Sequence, residues 1–169
     1  LFDRLKSLFN SHLISRKKTL FTFLEKTGDS GLLLDSGSSE SYFSDDQEVP
    51  FRSNPYFKYF CPLEGEKHLL SLTNNGGLEL FVYEPQSFWT DLNYEVQSSF
   101  WVSAFDQVYF LRSESERKKV LEERKSWVVL SSTTRKFDGF SKVNLENYLH
   151  AFNWWRCQKT EYEVFCLEQ

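Results

Sequence analysis

Leucine and phenylalanine open the chain at helical intervals. Leu5, Leu8, Phe9, Leu13, Leu20, Phe23 and Leu24 fall mostly three or four positions apart, with Lys and Arg between them. That stripe predicts an amphipathic helix over about residues 2–26. Thr27-Gly28-Asp29 ends it, with glycine just past the last periodic residue. The next run, GLLLD at residues 31–35, is short, apolar and bounded by glycine and serine, as a buried strand is. Residues 67–73 and 78–83 flank Asn74-Asn75-Gly76-Gly77, whose residue types supply the positive φ of a tight turn. They are expected to pair as an antiparallel hairpin.

Further along the pattern keeps changing period. Residues 85–93 have room for one helical turn. Residues 100–112 are aromatic and β-branched, with a strand expected at 107–111. Ser113 is placed to cap a helix reaching about Lys125, with Glu116 at the capping-box position and Glu114 and Lys118 paired on a solvated face. WVVLS at 127–131 is another short buried strand. Leu145, Tyr148, Leu149 and Phe152 mark a helix over 144–152, and a last helical segment starts near Lys159. The resulting order predicts an α/β fold: a mixed β-sheet flanked by helices.

Composition narrows the class. With 169 residues, 40% hydrophobic and 26% charged, the chain suits one folded domain and not a disordered one. Net charge is −4, and the chain lacks the basic clustering a nucleic-acid surface needs. Cys61, Cys157 and Cys166 are odd in number and widely spaced, which fits a reducing cytoplasm better than a disulfide framework. No apolar run approaches a membrane span and no signal-peptide pattern is present, so a soluble cytoplasmic protein is expected. The sequence contains no methionine, even at its first position.

Residues 43–60, FSDDQEVPFRSNPYFKYF, form the most unusual stretch. It gathers Asp45, Asp46, Pro50, Pro55, Arg52, Lys58 and six aromatic rings directly after the first strand and its Ser/Gly tail. A loop leaving a buried strand is where α/β proteins place functional side chains, while its bland reading is an aromatic loop packed over the sheet with two solvated acids. Adjacent acids in an extended segment point to opposite sides, so at most one of the two faces a given site. One such carboxylate can bind an ammonium group by a charge-assisted hydrogen bond.

Other chemistry is missing. His12, His68 and His150 lie far apart, belong to no metal-binding pattern and read as surface or helix-face histidines. The cysteines have no C-x-x-C spacing, Asp35-Ser36-Gly37 reads as a strand-end turn, and phosphate-binding glycine motifs are absent. No self-sufficient catalytic site and no metal ligand is expected in these residues.

Two motifs carry a resemblance. Arg156, Lys159, Thr160 and Glu163 form an R-x-x-K-T-x-x-E pattern that resembles the junction between the N-terminal and catalytic domains of the prolidase/creatinase ("pita-bread") metallopeptidases. Phe43-Ser44-Asp45-Asp46, Pro50-Phe51-Arg52 and Asn54-Pro55-Tyr56-Phe57-Lys58 are similar to a run in bacterial Xaa-Pro dipeptidases, the branch that includes organophosphorus acid anhydrolases. Leu5-Lys6-Ser7-Leu8-Phe9 with His12, Ser36-Gly37, Phe88-Trp89, Phe100-Trp101 and Tyr148-Leu149-His150 keep the same order, whereas Trp154-Trp155 departs from it.

The resemblance implies a creatinase/prolidase-type N-terminal domain over residues 1–155, and a junction at 156–169 into a metallopeptidase domain. That second domain would bind two divalent metals, usually manganese, and cleave dipeptides ending in proline. It also implies a homodimer in which the acid matching Asp46, beside Asp45, lines the partner's pocket and meets the substrate's amino terminus. Two alternatives stay open: a standalone interaction module of this fold, and a parent acting on organophosphates.

Overall fold

The computed structural model describes residues 2–39, 50–85, 94–131, 137, 140 and 144–168. Its first element is the expected long helix, α1 (Phe2–Thr27). Gly28, at φ +71°, ends it by donating its N–H to the Leu24 carbonyl at 2.9 Å. A left-handed residue at this position costs glycine nothing, and it satisfies a helix-end carbonyl. The chain turns directly into β1 (Gly31–Asp35), all five of whose residues are buried.

The hairpin is formed by β2 (Leu69–Thr73) and β3 (Leu78–Tyr83), with Leu72 opposite Leu78. In its turn only Gly76 takes positive φ; the Asn75 side chain is used for hydrogen bonding instead, accepting from the Gly77 N–H at 3.1 Å. β4 (Gln107–Leu111) and β5 (Val128–Leu130) complete a sheet ordered β4-β3-β2-β1-β5. The β4–β3 and β1–β5 pairs are parallel and the two between them antiparallel, so the sheet is mixed, as expected. β4 is reached from β3 through α3 (Tyr94–Ser98) and a 3-10 turn, Val102–Ala104.

Side chains alternate across the strands and divide the core in two. Leu32, Leu34, Leu70, Leu72, Leu80, Val128 and Leu130 pack under α1 and α5 (Leu145–Cys157), against Phe9, Leu13, Leu20, Leu24, Tyr148 and Phe152. Leu33, Leu69, Phe81, Leu111 and Val129 face the other way, toward Val120 of α4 (Glu114–Glu123) and Phe137. The three-layer arrangement follows from a sheet with two apolar faces, each needing cover.

Three local expectations are refined. Ser113 caps α4 by accepting the Glu116 N–H at 3.3 Å, but the Glu116 carboxylate takes the Arg112 N–H at 2.7 Å, one residue before the cap. α5 runs to Cys157, past the expected 152, because Trp155 packs on Phe23 and Phe152 at ring separations of 5.5 and 5.2 Å. Trp154, on the next position round the helix, is 64% exposed. The final helix is α6 (Glu161–Leu167). Among the described residues, no helix is long and apolar enough to cross a membrane.

Candidate functional site

Ser36 and Asn54, on either side of residues 40–49, meet at one end of the sheet. Asp35 and Leu130 end the parallel strands β1 and β5 there, and His68 leads into β2 beside them. Asn54, only 1% exposed, joins these ends. Its side-chain nitrogen donates to the carbonyl oxygens of Asp35 at 3.0 Å and Leu130 at 3.1 Å, while its own N–H donates to Ser36 O at 2.8 Å. Its side-chain oxygen accepts the Tyr56 N–H at 3.0 Å, which caps the short helix α2 (Pro55–Lys58) with Pro55 in the first turn. The Asn-Pro pair thus starts a helix, where proline's missing N–H costs nothing, and bridges two strand ends.

Ser36 and His68 lock the other stem. The Ser36 N–H donates to His68 O at 2.9 Å, and its hydroxyl accepts the His68 N–H at 2.9 Å and donates to Gly65 O at 3.0 Å. The ring of His68 is committed on both sides. Nδ1 accepts the Tyr83 N–H at 2.9 Å, so the proton sits on Nε2, which donates to Glu64 O at 3.1 Å. Burial pushes the imidazole down to about 4, only partly opposed by the Glu64 carbonyl. His68 is neutral at physiological pH.

Asp35 lies beneath α4, on the opposite face of β1 from α1. Its carboxylate accepts from Arg117 at 3.0 Å and from Ser131 at 2.9 Å, and Arg117 also donates to Lys67 O at 3.0 Å. Burial raises the Asp35 carboxyl from its ordinary value, and Arg117, Ser131 and the Gly37 backbone oppose that rise. Phe57 of α2 and the following Phe60 and Cys61 are buried in the same core as α1 and α5. The Cys61 thiol is fully buried and pushed up to about 12, which removes it as a nucleophile.

These groups spend their hydrogen-bonding capacity on one another. The cluster is a rigid junction of strand ends, not a proton-transfer or nucleophilic site. Asp45 and Asp46 lie outside the described residues, as do Phe88 and Trp89. Arg52 is exposed, and Phe51 and Tyr56 are half-buried. Among the described residues, no group of three or more His, Cys, Asp or Glu side chains could hold a metal ion.

The histidine expectation holds for His150 and for the place of His12 on a helix, and needs correction for His68 and for the burial of His12. His150 is exposed, but His12 and His68 are 3% and 5% exposed. His12 lies in the stripe of α1, and Arg16 fills the interval between Leu13 and Leu20 where the stripe lacks an apolar residue. Both reach the R-x-x-K-T-x-x-E segment. His12 Nε2 donates to Tyr59 O at 2.8 Å, and Nδ1 is 2.8 Å from the Thr160 hydroxyl. Arg16 donates to Gln158 O at 2.6 Å and to Glu163 at 3.3 Å. Thr160 and Glu163 form a reciprocal capping box at the start of α6, and Lys159 stands 3.5 Å from Glu163. Burial alone would raise the Glu163 carboxyl; the Thr160 N–H, His12 and Lys159 outweigh it and hold Glu163 below its usual range. Burial lowers His12, against the Tyr59 carbonyl and Glu163. The spacing T-x-x-E was the signal in the sequence for this cap; nothing local pointed to its partners on α1.

The family described as "Xaa-Pro dipeptidase, N-terminal domain" matches residues 7–154. An Xaa-Pro dipeptidase of Pseudoalteromonas translucida is 29% identical over 98% of this chain and 38% of its own length. One from Aeromonas hydrophila is 32% identical over 95% of this chain and 37% of its own. The chain therefore spans little more than a third of these relatives. A solved structure from Bacillus anthracis, described provisionally as an aminopeptidase P, covers 82% of this chain and 34% of its own at 18% identity, with a TM-score of 0.46.

Proposed function

This chain belongs to the family of Xaa-Pro dipeptidase N-terminal domains, and we propose that it serves as the non-catalytic, substrate-gating and dimerisation part of an enzyme that hydrolyses dipeptides with C-terminal proline. The observation that carries this reading is the near end-to-end match to relatives described as Xaa-Pro dipeptidases, of which the chain spans 38% and 37%. Residues 1–155 are the domain proper and 156–169 lead toward the catalytic domain. Cytoplasmic residence accords with three cysteines that are all free thiols.

Hydrolysis in such an enzyme calls for two divalent metals, manganese being the expected pair. The described residues do not fit such a centre, since no three potential ligands converge among them. No step of the hydrolysis is assigned to this chain. What it contributes is recognition: in a homodimer, Asp46, with Asp45 beside it, reaches the partner's pocket and pairs with the dipeptide's ammonium. A charge-assisted hydrogen bond of this kind contributes about 1.5–3 kcal/mol. The base formed by Asn54, Ser36, His68 and Asp35 supports the reading, because a recognition group needs a rigid mount.

The test uses the full-length enzyme. It should cleave Xaa-Pro dipeptides in preference to longer peptides and to an organophosphate; failure on the dipeptides sinks the function. Asp46→Ala should raise KM about tenfold or more, relax length selectivity and leave bound metal unchanged. An unchanged KM sinks the role of Asp46.

A further inference from the structure

We propose that His12 and Arg16 are positioning residues. They lock α6 onto α1 and so set the angle at which this domain is carried relative to the catalytic half. The inference rests on the functional reading above.

α6 cannot fix its own direction. It has seven residues, well short of the length at which a helix is stable alone. None of its residues is fully buried, and Val164 and Leu167 are 42% and 76% exposed. Burial of an apolar stripe, which fixes α1 through Phe9, Leu13, Leu20 and Leu24, is thus weak here. What holds α6 is a set of directional contacts to α1: His12 to Thr160, Arg16 to Gln158 O and Glu163, Tyr162 edge-on to Phe9 at 5.1 Å, and Arg4 over the Phe165 ring at 5.3 Å.

His12 and Arg16 are one helical turn apart and share a face. Arg16 also stacks over Tyr59 at 4.9 Å, and His12 is bonded to the Tyr59 carbonyl, so both are tied to the domain core behind them. Arg16 is 8% exposed, and its Nε has no hydrogen-bond partner among the described residues. A buried guanidinium with one unused donor is an expensive way to gain stability. Its value lies in geometry, because a forked donor reaching a carbonyl and a carboxylate accepts few orientations of α6.

The expected consequence is a split between binding and chemistry. Asp46 is carried by this domain, whereas the metal centre belongs to the catalytic half, so loosening the lock misplaces the recognition group and spares the reacting one. In the full-length enzyme, Arg16→Ala and His12→Ala should each raise KM for an Xaa-Pro dipeptide at least fivefold, with kcat within twofold and metal content unchanged. Arg16→Lys, which keeps the charge and loses the fork, should recover only part of that loss. Val120→Ala, on the opposite face of the sheet, should lower Tm comparably but keep KM within twofold.

An unchanged KM in the lock variants overturns the proposal, as does an equal rise in Val120→Ala. If the wild-type enzyme shows no dipeptidase activity, the functional reading fails instead, and amide exchange decides the lock. Lost protection at residues 160–163 in Arg16→Ala, but not in Val120→Ala, supports it; unchanged protection overturns it.

Discussion

The carboxylate of Asp35 and the guanidinium of Arg117 meet at 3.0 Å beneath α4, at 3% and 11% side-chain exposure. Asp35 ends the strand from which the Asp45/Asp46 segment departs, so this pair ties the covering helix to the base of that segment. Arg117→Met strands a buried carboxylate and is expected to cost about 3–5 kcal/mol in urea unfolding. In an Asp35→Asn background the same change should cost less than half as much. Equal costs in the two backgrounds would show that the pair is not coupled.

Asn54 bridges two strands through a single nitrogen. Asn54→Ala leaves the Asp35 and Leu130 carbonyls without that donor, at about 1–3 kcal/mol for each buried group left unpaired. Asn54→Asp is nearly isosteric, yet it should be at least as damaging because it sets an acceptor against two acceptors. Thermal unfolding of both variants separates this hydrogen-bonding account from one based on volume, in which Asn54→Asp would be benign.

His68 makes the fold sensitive to acid. Its folded value of about 4 lies below the unfolded value near 6.5, so the unfolded chain binds more protons between those limits. Stability from this residue is complete above about pH 6.5 and is lost as pH falls toward 4, by roughly 3 kcal/mol at about 1.4 kcal/mol per unit. Arg117 and Glu84 face the ring with opposing effects, the cation lowering it and the acid raising it. His12, also lowered by burial, adds a loss of the same sign. Unfolding free energy measured from pH 7 to 4 should fall steeply, and the slope should flatten in His68→Gln.

Gly31 opens β1 against the indole of Trp127. A Cβ there would stand 2.6 Å from the ring carbons. Gly31→Ala should therefore cost about 1–3 kcal/mol by overpacking. In a Trp127→Leu background the cost should shrink toward zero, a difference read directly from a double-mutant cycle.

The long helices, the strands and the hairpin were legible because each is specified by neighbours in sequence; the short α2 and α3 were not expected, and the helical turn expected at 85–93 lies, past residue 85, outside the described residues. Leu and Phe at intervals of three and four made α1 visible, Gly28 marked its end, and Asn-Asn-Gly-Gly marked the hairpin. Thr160 and Glu163, whose capping box was not expected, stand only three residues apart, so that signal too is local. Such signals survive in a string because the interactions behind them span only a few residues.

What the string did not contain was the choice among distant partners. Nothing near Asn54 in sequence indicates that its amide would meet Asp35 and Leu130, and the N-terminal stripe hides that its two polar members would reach residues 158–163. His12 and His68 read as surface or helix-face groups because an imidazole on a helix or before a strand has no local mark of burial. Sheet order is of the same kind: β5 joins β1 across nearly a hundred residues, and only packing both faces of the sheet selects that edge. Local chemistry determined the elements of this protein. Tertiary structure decided which polar groups lost their water, and it is that loss, answered by specific partners, that fixed Asn54, His68, His12 and Arg16 in place.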